Sequence, residues 1–419
     1  MNQTQSNPFR QQHRGRHSLR EAVLAAFSQP PYVVAEQLSG FSEREWKSNL
    51  KWLDTSGLAL YLLGHLQELG VGEVLPTKIV LRLRRNLIDN RARNSGLLTE
   101  TAEINVALQR EGVLFANLKG VTLSPDAVPD PALRCQLDQD FLVSAEQADT
   151  AAHVLERSGY MLHCVSGDTW EFKAGASSVA HIRDLYKAKP QRSAELHLAP
   201  ADGLLGRVQL RSFHGTAFPV LSPVDLYIEQ AMHLFGHVCS PFTRTSWLLE
   251  YRRHMLARGD DEMFWEELEG RIADEPKAAL ALGLVTLLAV ETFGDVPPKA
   301  LSRLIASEVA PAVQLWVRLY GQRLLVADFP GTKLYLLLED ELQPSSARAA
   351  AKGRSRLIPS QRPLNITQAE PEESVLSRLR RSRSQTSYIL FRLRFHCVEG
   401  IRYVLESSRF KRLLTGLAH

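Results

Sequence analysis

The segment Asp138–Val143 constrains the fold more than any other part of the sequence. It places two aspartates at positions i and i+2 and then continues into three large apolar residues. An apolar run of this kind predicts a strand that is buried in a sheet. Because side chains alternate between the two faces of a strand, Asp138 and Asp140 share one face. Two neighbouring carboxylates on one face can hold a divalent cation between them.

A second polar segment, Leu118–Gly120, lies upstream of the paired aspartates. Lys119 supplies a positive charge, and the backbone after Gly120 offers free N–H groups. These are the features that bind a chain of phosphates. The two segments together therefore indicate a phosphorylated ligand that is brought in on a divalent metal.

A third acidic residue is expected on a neighbouring strand. Phosphoryl transfer uses hard carboxylate ligands on a metal because negative charge accumulates on the phosphate oxygens. A further acid then orients or activates the nucleophile. The candidate is Glu195, which shares a strand face with His197. Arg183 and Asp184, on the preceding predicted strand, are the second choice.

Hydrophobic periodicity divides the chain into helical and mixed regions. The predicted regions are a disordered terminus at 1–17, helices at 18–112, an α+β core at 113–215, a helical domain at 216–342, a linker rich in proline and serine at 343–374, and a pair of basic helices at 375–419. The predicted fold class is therefore α+β, with a small core embedded in a mostly helical protein.

Within these regions the pattern predicts individual elements. Strands are predicted at 113–116, 136–143, 160–165, 169–172, 179–183 and 194–198, and helices at 145–158, 223–238, 242–257, 262–272, 276–293 and 311–325. A capping box at Ser18 and Glu21 predicts the start of the first helix. Asp225 and Glu229 are expected on the solvent face of their helix.

Charge is distributed unevenly. The net charge is only +4 over 419 residues, which does not require a nucleic acid or a membrane as partner. Residues 331–419 nevertheless hold sixteen lysines and arginines against eight acidic residues. This basic tail can bind an anionic partner such as RNA, an acidic protein or a phospholipid surface. The other interpretation is an amphipathic pair of helices that packs on the body with its arginines in water.

Several classes of protein are not supported. The four cysteines lack CxxC spacing, which argues against a zinc site or a disulfide framework and favours a cytoplasmic protein. No apolar run approaches the roughly 20 residues of a membrane-spanning helix, and no secretory signal is expected. Phosphate-binding P-loop and dinucleotide-binding glycine motifs are missing. His233 and His237 share a helix face, but the glutamate of a metalloprotease does not follow His233.

In this order, the polar segments resemble the uncharacterised nucleotidyltransferase family of the DNA polymerase beta superfamily. The residues that carry the resemblance are Leu118-Lys119-Gly120, Arg134, Asp138-Gln139-Asp140, Gly159-Tyr160 and Glu195-Leu196-His197. The resemblance covers residues 113–198 well and the following helices loosely. Nucleotidyltransferase toxins of abortive-infection systems are more distantly similar.

The resemblance implies a mixed sheet flanked by helices, and a role for each matching residue. Asp138 and Asp140 would bind two magnesium ions, or manganese, and Glu195 would be the third acid and metal ligand. A nucleoside triphosphate such as ATP would lie at the turn near Lys119 and Gly120. Arg134 would contact the triphosphate or stabilise the acidic strand.

The turn departs from the family pattern, because Gly120 is followed by Val121 instead of a second glycine or a serine.

The predicted function is metal-dependent transfer of a nucleoside monophosphate from the triphosphate to an acceptor, with release of pyrophosphate. The acceptor is a protein, an RNA or a small molecule. One alternative is a catalytically inactive binding or scaffold protein, which Val121 favours. The other is an RNA-modifying, toxin-like enzyme, which the basic tail suggests.

Overall fold

The structure is a computed structural model, which describes residues 18–175, 184–188, 191–213, 215–343, 357 and 374–417. The terminus predicted at 1–17, the strand predicted at 179–183 and almost all of the linker predicted at 343–374 lie outside these residues.

Five helices form the N-terminal part of the protein. They are α1 (Leu19–Ala26), α2 (Pro31–Ser39), α3 (Glu43–Thr55), α4 (Leu58–Glu68) and α5 (Thr77–Arg110). The predicted capping box opens α1, where the Ser18 hydroxyl accepts a hydrogen bond from the Glu21 N–H and the Glu21 carboxylate accepts one from the Ser18 N–H. An equivalent pair, Ser42 and Glu45, opens α3.

A single mixed sheet follows these helices in the described part of the chain. Its strands are β1 (Phe115–Leu118), β2 (Asp138–Ser144), β3 (Tyr160–Ser166), β4 (Thr169–Ala174), β5 (Arg192–Ala199), β6 (Gln209–Phe213) and β7 (Thr216–Val220). Their order across the sheet is β3-β4-β5-β2-β1-β7-β6. β2 runs parallel to β5, β1 runs parallel to β7, and the other neighbours are antiparallel. This sheet in a mostly helical protein confirms the predicted fold class.

The two faces of the sheet carry different side chains. On one face, Phe141, Phe172 and Leu196 are fully buried in a hydrophobic cluster with residues of α5 and of helix α6 (Ala148–Arg157). The alternation along β2 puts Asp138 and Asp140 on the opposite face. The apolar face therefore fixes the sheet on its helices, and the other face is available for polar side chains.

The second group of helices begins after β7. It comprises α7 (Pro223–Val238), α8 (Thr245–Ala257), α9 (Glu262–Ile272), α10 (Pro276–Phe293), α11 (Lys299–Glu308), α12 (Pro311–Trp316), α13 (Gln322–Leu325) and α14 (Tyr335–Leu342). By length and composition α10 could cross a membrane, but 67% of it is buried inside the fold. A core helix has the same properties, and α10 occupies such a place here.

One hydrophobic core joins the two groups of helices. Its buried residues come from α1, α3 and α4 before the sheet and from α7, α8 and α10 after it. Large aromatic side chains such as Trp46, Tyr61, Tyr251 and Trp316 are at most 1% exposed within it. The helical regions on either side of the sheet in the sequence therefore pack around a common centre.

The C-terminal region is one continuous helix, α15 (Val375–Leu417), instead of the predicted pair of helices. Phe410 is buried against the body of the protein. Glu399 accepts a hydrogen bond from the Thr332 hydroxyl at 2.6 Å, and Glu406 accepts one from the Tyr320 hydroxyl at 3.1 Å. These contacts anchor the C-terminal half of α15.

Candidate active site

The parallel pairing of β2 with β5 gathers the acidic side chains. Asp140 lies directly opposite Glu195 in the ladder, Asp138 lies opposite Ser193, and His197 follows Glu195 on the same face. The register is set by the apolar residues of the other face, because a slip of one residue would move the apolar side chains of the slipped strand to the polar face. Asp138, Asp140 and Glu195 therefore lie on one face of the sheet.

Asp140 is the centre of this cluster. Its Oδ1 accepts hydrogen bonds from Lys119 Nζ at 2.8 Å and from His197 Nε2 at 3.1 Å. Burial opposes its ionisation, but the bond from His197 and the charge of Lys119 outweigh burial and hold the pKa of Asp140 well below its usual range. Asp140 is consequently a carboxylate that remains ionised although it is 5% exposed.

Asp138 has the opposite electrostatic setting. Burial, and next the negative charge of Asp140, raise the pKa of Asp138 to about 6. Asp138 therefore ionises at a higher pH than Asp140, although both lie on one strand. A positive charge placed between them would favour ionisation of both.

Two cations balance the acids. Burial disfavours a charged imidazole, but hydrogen bonds to Asp140 and Glu195 outweigh burial and raise the pKa of His197 to about 9. His197 Nε2 lies 3.4 Å from Glu195 Oε2. The Asp140 carboxylate likewise outweighs burial and raises the pKa of Lys119. Lys119 and His197 each owe their charge to a bound proton, and a divalent cation can displace such a proton.

Asp140, Glu195 and His197 are the described residues whose donor atoms are grouped closely enough for a metal, all within 4.8 Å of one another. This group differs from the predicted ligands, since it includes His197 and does not include Asp138. Carboxylate oxygens suit magnesium or manganese, and an imidazole nitrogen suits manganese better than magnesium. The donor set therefore fits a divalent cation. The signal for His197 was its shared face with Glu195; its contact with Asp140 depends on the strand register.

The turn after β1 places Lys119 over Asp140. Lys119 has φ +51° and ψ −153°, a backbone conformation that residues other than glycine rarely adopt. Gly120 also has a positive φ, and a Cβ added there would lie 2.5 Å from Gln136 Nε2. The Thr122 hydroxyl donates to the Lys119 carbonyl oxygen at 2.7 Å. This hydrogen bond of Thr122 stabilises the turn.

Arg134 lies between the sheet and the helices. Its Nε is 3.3 Å from the Glu250 carboxylate on α8, which also accepts a hydrogen bond from the Tyr61 hydroxyl on α4 at 2.9 Å. Burial lowers and Glu250 raises the pKa of Arg134, with a net increase, so the guanidinium stays charged. The structure thus pairs Arg134 with the helical core, while the charge of Asp138 also acts on it.

Two cavities border the turn. One of about 360 Å³ lies between the polar sheet face and helices α7 and α8, and its polar lining comes from Lys119, Arg134, His197, Glu229, Gln230, His233 and Glu250. A second, of about 540 Å³, lies on the side of α5 and includes Gly120, Val121, Arg134 and Gln136. Arg134 lines both cavities, so a ligand in either one meets its charge.

His233 of α7 and Trp247 of α8 form part of the first cavity wall. The rings of His233 and His237 lie 4.8 Å and 4.3 Å from that of Trp247. Burial lowers the pKa of His233 to about 3, so this imidazole is neutral. His233 and Trp247 therefore give the cavity an aromatic surface.

Comparison with known proteins identifies a family for this chain. Residues 42–294 match a family described as uncharacterised nucleotidyltransferase. No curated protein matches the sequence. One similar solved structure is that of an antigenic nucleotidyltransferase-like protein from Paracoccidioides brasiliensis, with 13% identity and a TM-score of 0.27 over 43% of this chain and 90% of that chain. This structural similarity is too low to indicate a function. The family match, in contrast, spans more than half of the chain and includes all six predicted site residues.

Proposed function

Since this chain belongs to the uncharacterised nucleotidyltransferase family, we propose that it transfers a nucleoside monophosphate from a nucleoside triphosphate to an acceptor. The acceptor oxygen attacks the α-phosphorus, the bond to the bridging oxygen of the β-phosphate breaks, and pyrophosphate leaves. The observation that carries this proposal is the β2–β5 register, which puts Asp140 opposite Glu195 with Lys119 bonded to Asp140.

Asp140, Glu195 and His197 are the proposed ligands of a divalent cation, with Asp138 as the additional carboxylate beside it. When bound, the cation supplies neutralisation of the negative charge that builds up on the triphosphate oxygens. Its positive charge also favours the ionised form of Asp138. Magnesium and manganese are both proposed, and the imidazole of His197 favours manganese.

The remaining residues bind and orient the triphosphate. Lys119 has a 29% exposed side chain and can contact phosphate oxygens from the position it holds over Asp140. Arg134 provides a second fixed charge, because Glu250 and burial restrict its movement. Glu195, whose side chain is 27% exposed, is the proposed group that accepts the proton of the acceptor.

The test uses each α-labelled nucleoside triphosphate with magnesium or manganese and a cell lysate as the source of acceptor. Wild type is expected to label a protein, an RNA or a small molecule and to release pyrophosphate. Asp140→Asn is expected to abolish both signals. The matched control is Asp149→Asn, which removes an exposed carboxylate on α6. Equal labelling by wild type and Asp140→Asn would contradict the proposal.

A second candidate function is nucleotide binding without transfer. The turn favours it, because Val121 replaces a flexible position and the Thr122 hydroxyl is committed to the Lys119 carbonyl oxygen. Isothermal titration with the four magnesium nucleotides separates the two functions. Binding that Asp138→Ala and Asp140→Ala abolish, without pyrophosphate release by wild type, would support the binding protein.

A further inference from the structure

Helix α15 has an apolar stripe on its solvent side. We define the stripe as Leu379, Leu390, Leu393, Ile401, Val404 and Leu405, whose exposed fractions lie between 58% and 68%. From residue 390 onward successive members are three, eight, three and one residues apart, and at 3.6 residues per turn these spacings keep them within about a third of the helix circumference. Single exposed aliphatic residues are common, but six of them on one side of one helix indicate a surface that a partner covers.

The charge of α15 identifies the kind of partner. The helix carries ten lysines and arginines against two glutamates. Both glutamates point at the body, where Glu399 bonds to Thr332 and Glu406 bonds to Tyr320. The solvent side of α15 therefore presents only positive charges beside the stripe. Exposed members of this set are Arg378, Arg380, Arg383, Arg394, Lys411 and Arg412.

Two other partners fit these observations less well. A second copy of α15 would bring two helices of net positive charge together, with both glutamates of each already turned to its own body. A nucleic acid would neutralise the arginines but would leave the aliphatic side chains in water, since proteins stack nucleic-acid bases mainly on aromatic side chains. An anionic bilayer satisfies both parts, because its head groups carry phosphate and its interior is hydrocarbon.

We propose that α15 is an interfacial helix that binds the protein to an anionic phospholipid bilayer. The apolar stripe enters the boundary between head groups and acyl chains, and the bordering arginines contact lipid phosphates. The helix lies in the plane of the surface and does not cross it. This proposal is independent of the proposed transferase activity.

The test is flotation of the full chain with vesicles of phosphatidylcholine alone or with 30% phosphatidylserine. Wild type is expected to float only with the anionic vesicles and to dissociate as salt is raised, because the charges are screened. The stripe variant, Leu390→Gln with Leu393→Gln and Ile401→Gln, is expected to lose at least tenfold in vesicle affinity. The charge variant, Arg378→Gln with Arg380→Gln and Arg383→Gln, is expected to lose a similar factor.

The matched control replaces three exposed aliphatic residues elsewhere, Leu81, Leu210 and Val296, with glutamine. It is expected to bind vesicles like wild type, and circular dichroism checks that all variants are folded. Equal binding to neutral and anionic vesicles, or an unchanged stripe variant, would overturn the proposal. RNA binding without vesicle binding would assign the helix to nucleic acid. A dimer in sedimentation velocity that the stripe variant loses, without vesicle binding, would assign the stripe to a second copy.

Discussion

Two buried aspartates, Asp140 on β2 and Asp225 on α7, are each surrounded by cations, but by different kinds. Asp225 accepts two bonds from Arg207, at 2.8 and 2.9 Å, and further bonds from Arg271 and the Ser222 hydroxyl. Asp140 instead accepts from Lys119 and His197. Guanidinium groups fork onto both carboxylate oxygens and never lose their charge, whereas lysine and histidine can release a proton or move.

The difference distinguishes a structural carboxylate from one that is available for chemistry. Asp225 is 1% exposed and fixes the start of α7 to the segment before β6 and to α9. Asp140 is almost as buried, but its neighbours Glu195 and His197 leave a group of donor atoms for a cation. Burial alone therefore does not separate the two aspartates, whereas the type of cation beside each one does.

The largest expected effect separates the two aspartates by activity. Asp140→Asn is expected to lower nucleotidyl transfer by about 10³-fold, or about 4 kcal/mol of transition-state stabilisation, because the cation loses its central ligand. Single-turnover kinetics with a labelled triphosphate measure this loss. Comparable activity losses in Asp140→Asn and a folded Asp225→Asn would remove the distinction between the two residues.

The next effect separates them by stability. Asp225→Asn is expected to lower the free energy of unfolding by about 3 kcal/mol, since Arg207 loses the carboxylate that it binds and Arg271 keeps only the exposed Glu267. Asp140→Asn is expected to lower it by less, about 2 kcal/mol, because Lys119 and His197 can release protons and His197 keeps Glu195 as a partner. Urea denaturation of both variants gives the comparison. A larger loss of stability in Asp140→Asn would reverse the assignment.

A smaller effect depends on pH and belongs only to the Asp140 region. The pKa of His197 is raised to about 9 in the folded protein from an ordinary 6.5. Its stabilisation is fully present below pH 6.5 and is lost as the pH rises through 9, about 2 kcal/mol after allowance for partial exposure. Denaturation midpoints of wild type and His197→Gln are expected to converge at high pH. Parallel curves for the two proteins would contradict this prediction.

The smallest effect is stabilisation by metal. Manganese or magnesium at tenfold excess over its Kd is expected to raise the free energy of unfolding of wild type by about 1.4 kcal/mol. Asp140→Asn is expected to show no such gain, whereas Asp225→Asn keeps it because its site lacks metal ligands. Thermal denaturation with and without the metal measures the difference. An equal gain in all three proteins would place the metal elsewhere.

Local signals in the sequence were sufficient for much of the fold. The predicted helices at 223–238, 262–272 and 276–293 agree with α7, α9 and α10 at both ends. Two of them begin at a proline in the first turn, and α10 ends at Gly294 with a positive φ. β2 and β5 were predicted at 136–143 and 194–198, and in the structure the start of each strand differs by two residues and its end by one.

Features that depend on distant contacts were not predicted. β6 and β7 were missed, because exposed Gln209 and Leu210 and the internal Pro219 break the pattern of a strand. Asp225 was expected on a solvent face, and that prediction was wrong because Arg207 and Arg271 reach it from other parts of the chain.

The candidate site shows the same limit. The sequence predicted that Asp138, Asp140 and Glu195 share a face, since that follows from strand periodicity and from pairing of their strands. The bond from Lys119 to Asp140 depends on a strained backbone at Lys119, which no local pattern indicates. The contact of His197 with Asp140 depends on which residues of β2 and β5 stand side by side.

The common core of the two groups of helices has a consequence for the cavity of about 360 Å³. Glu250 connects Arg134, in the loop before β2, to Tyr61 on α4, so one wall of this cavity depends on segments that lie far apart in the sequence. Removal of the first hundred residues would take away Tyr61 and leave the Glu250 carboxylate without the hydroxyl that it binds. The proposed site thus depends on the helical body as well as on the sheet, and a fragment cut around the acidic strands would lose both Tyr61 and Glu250.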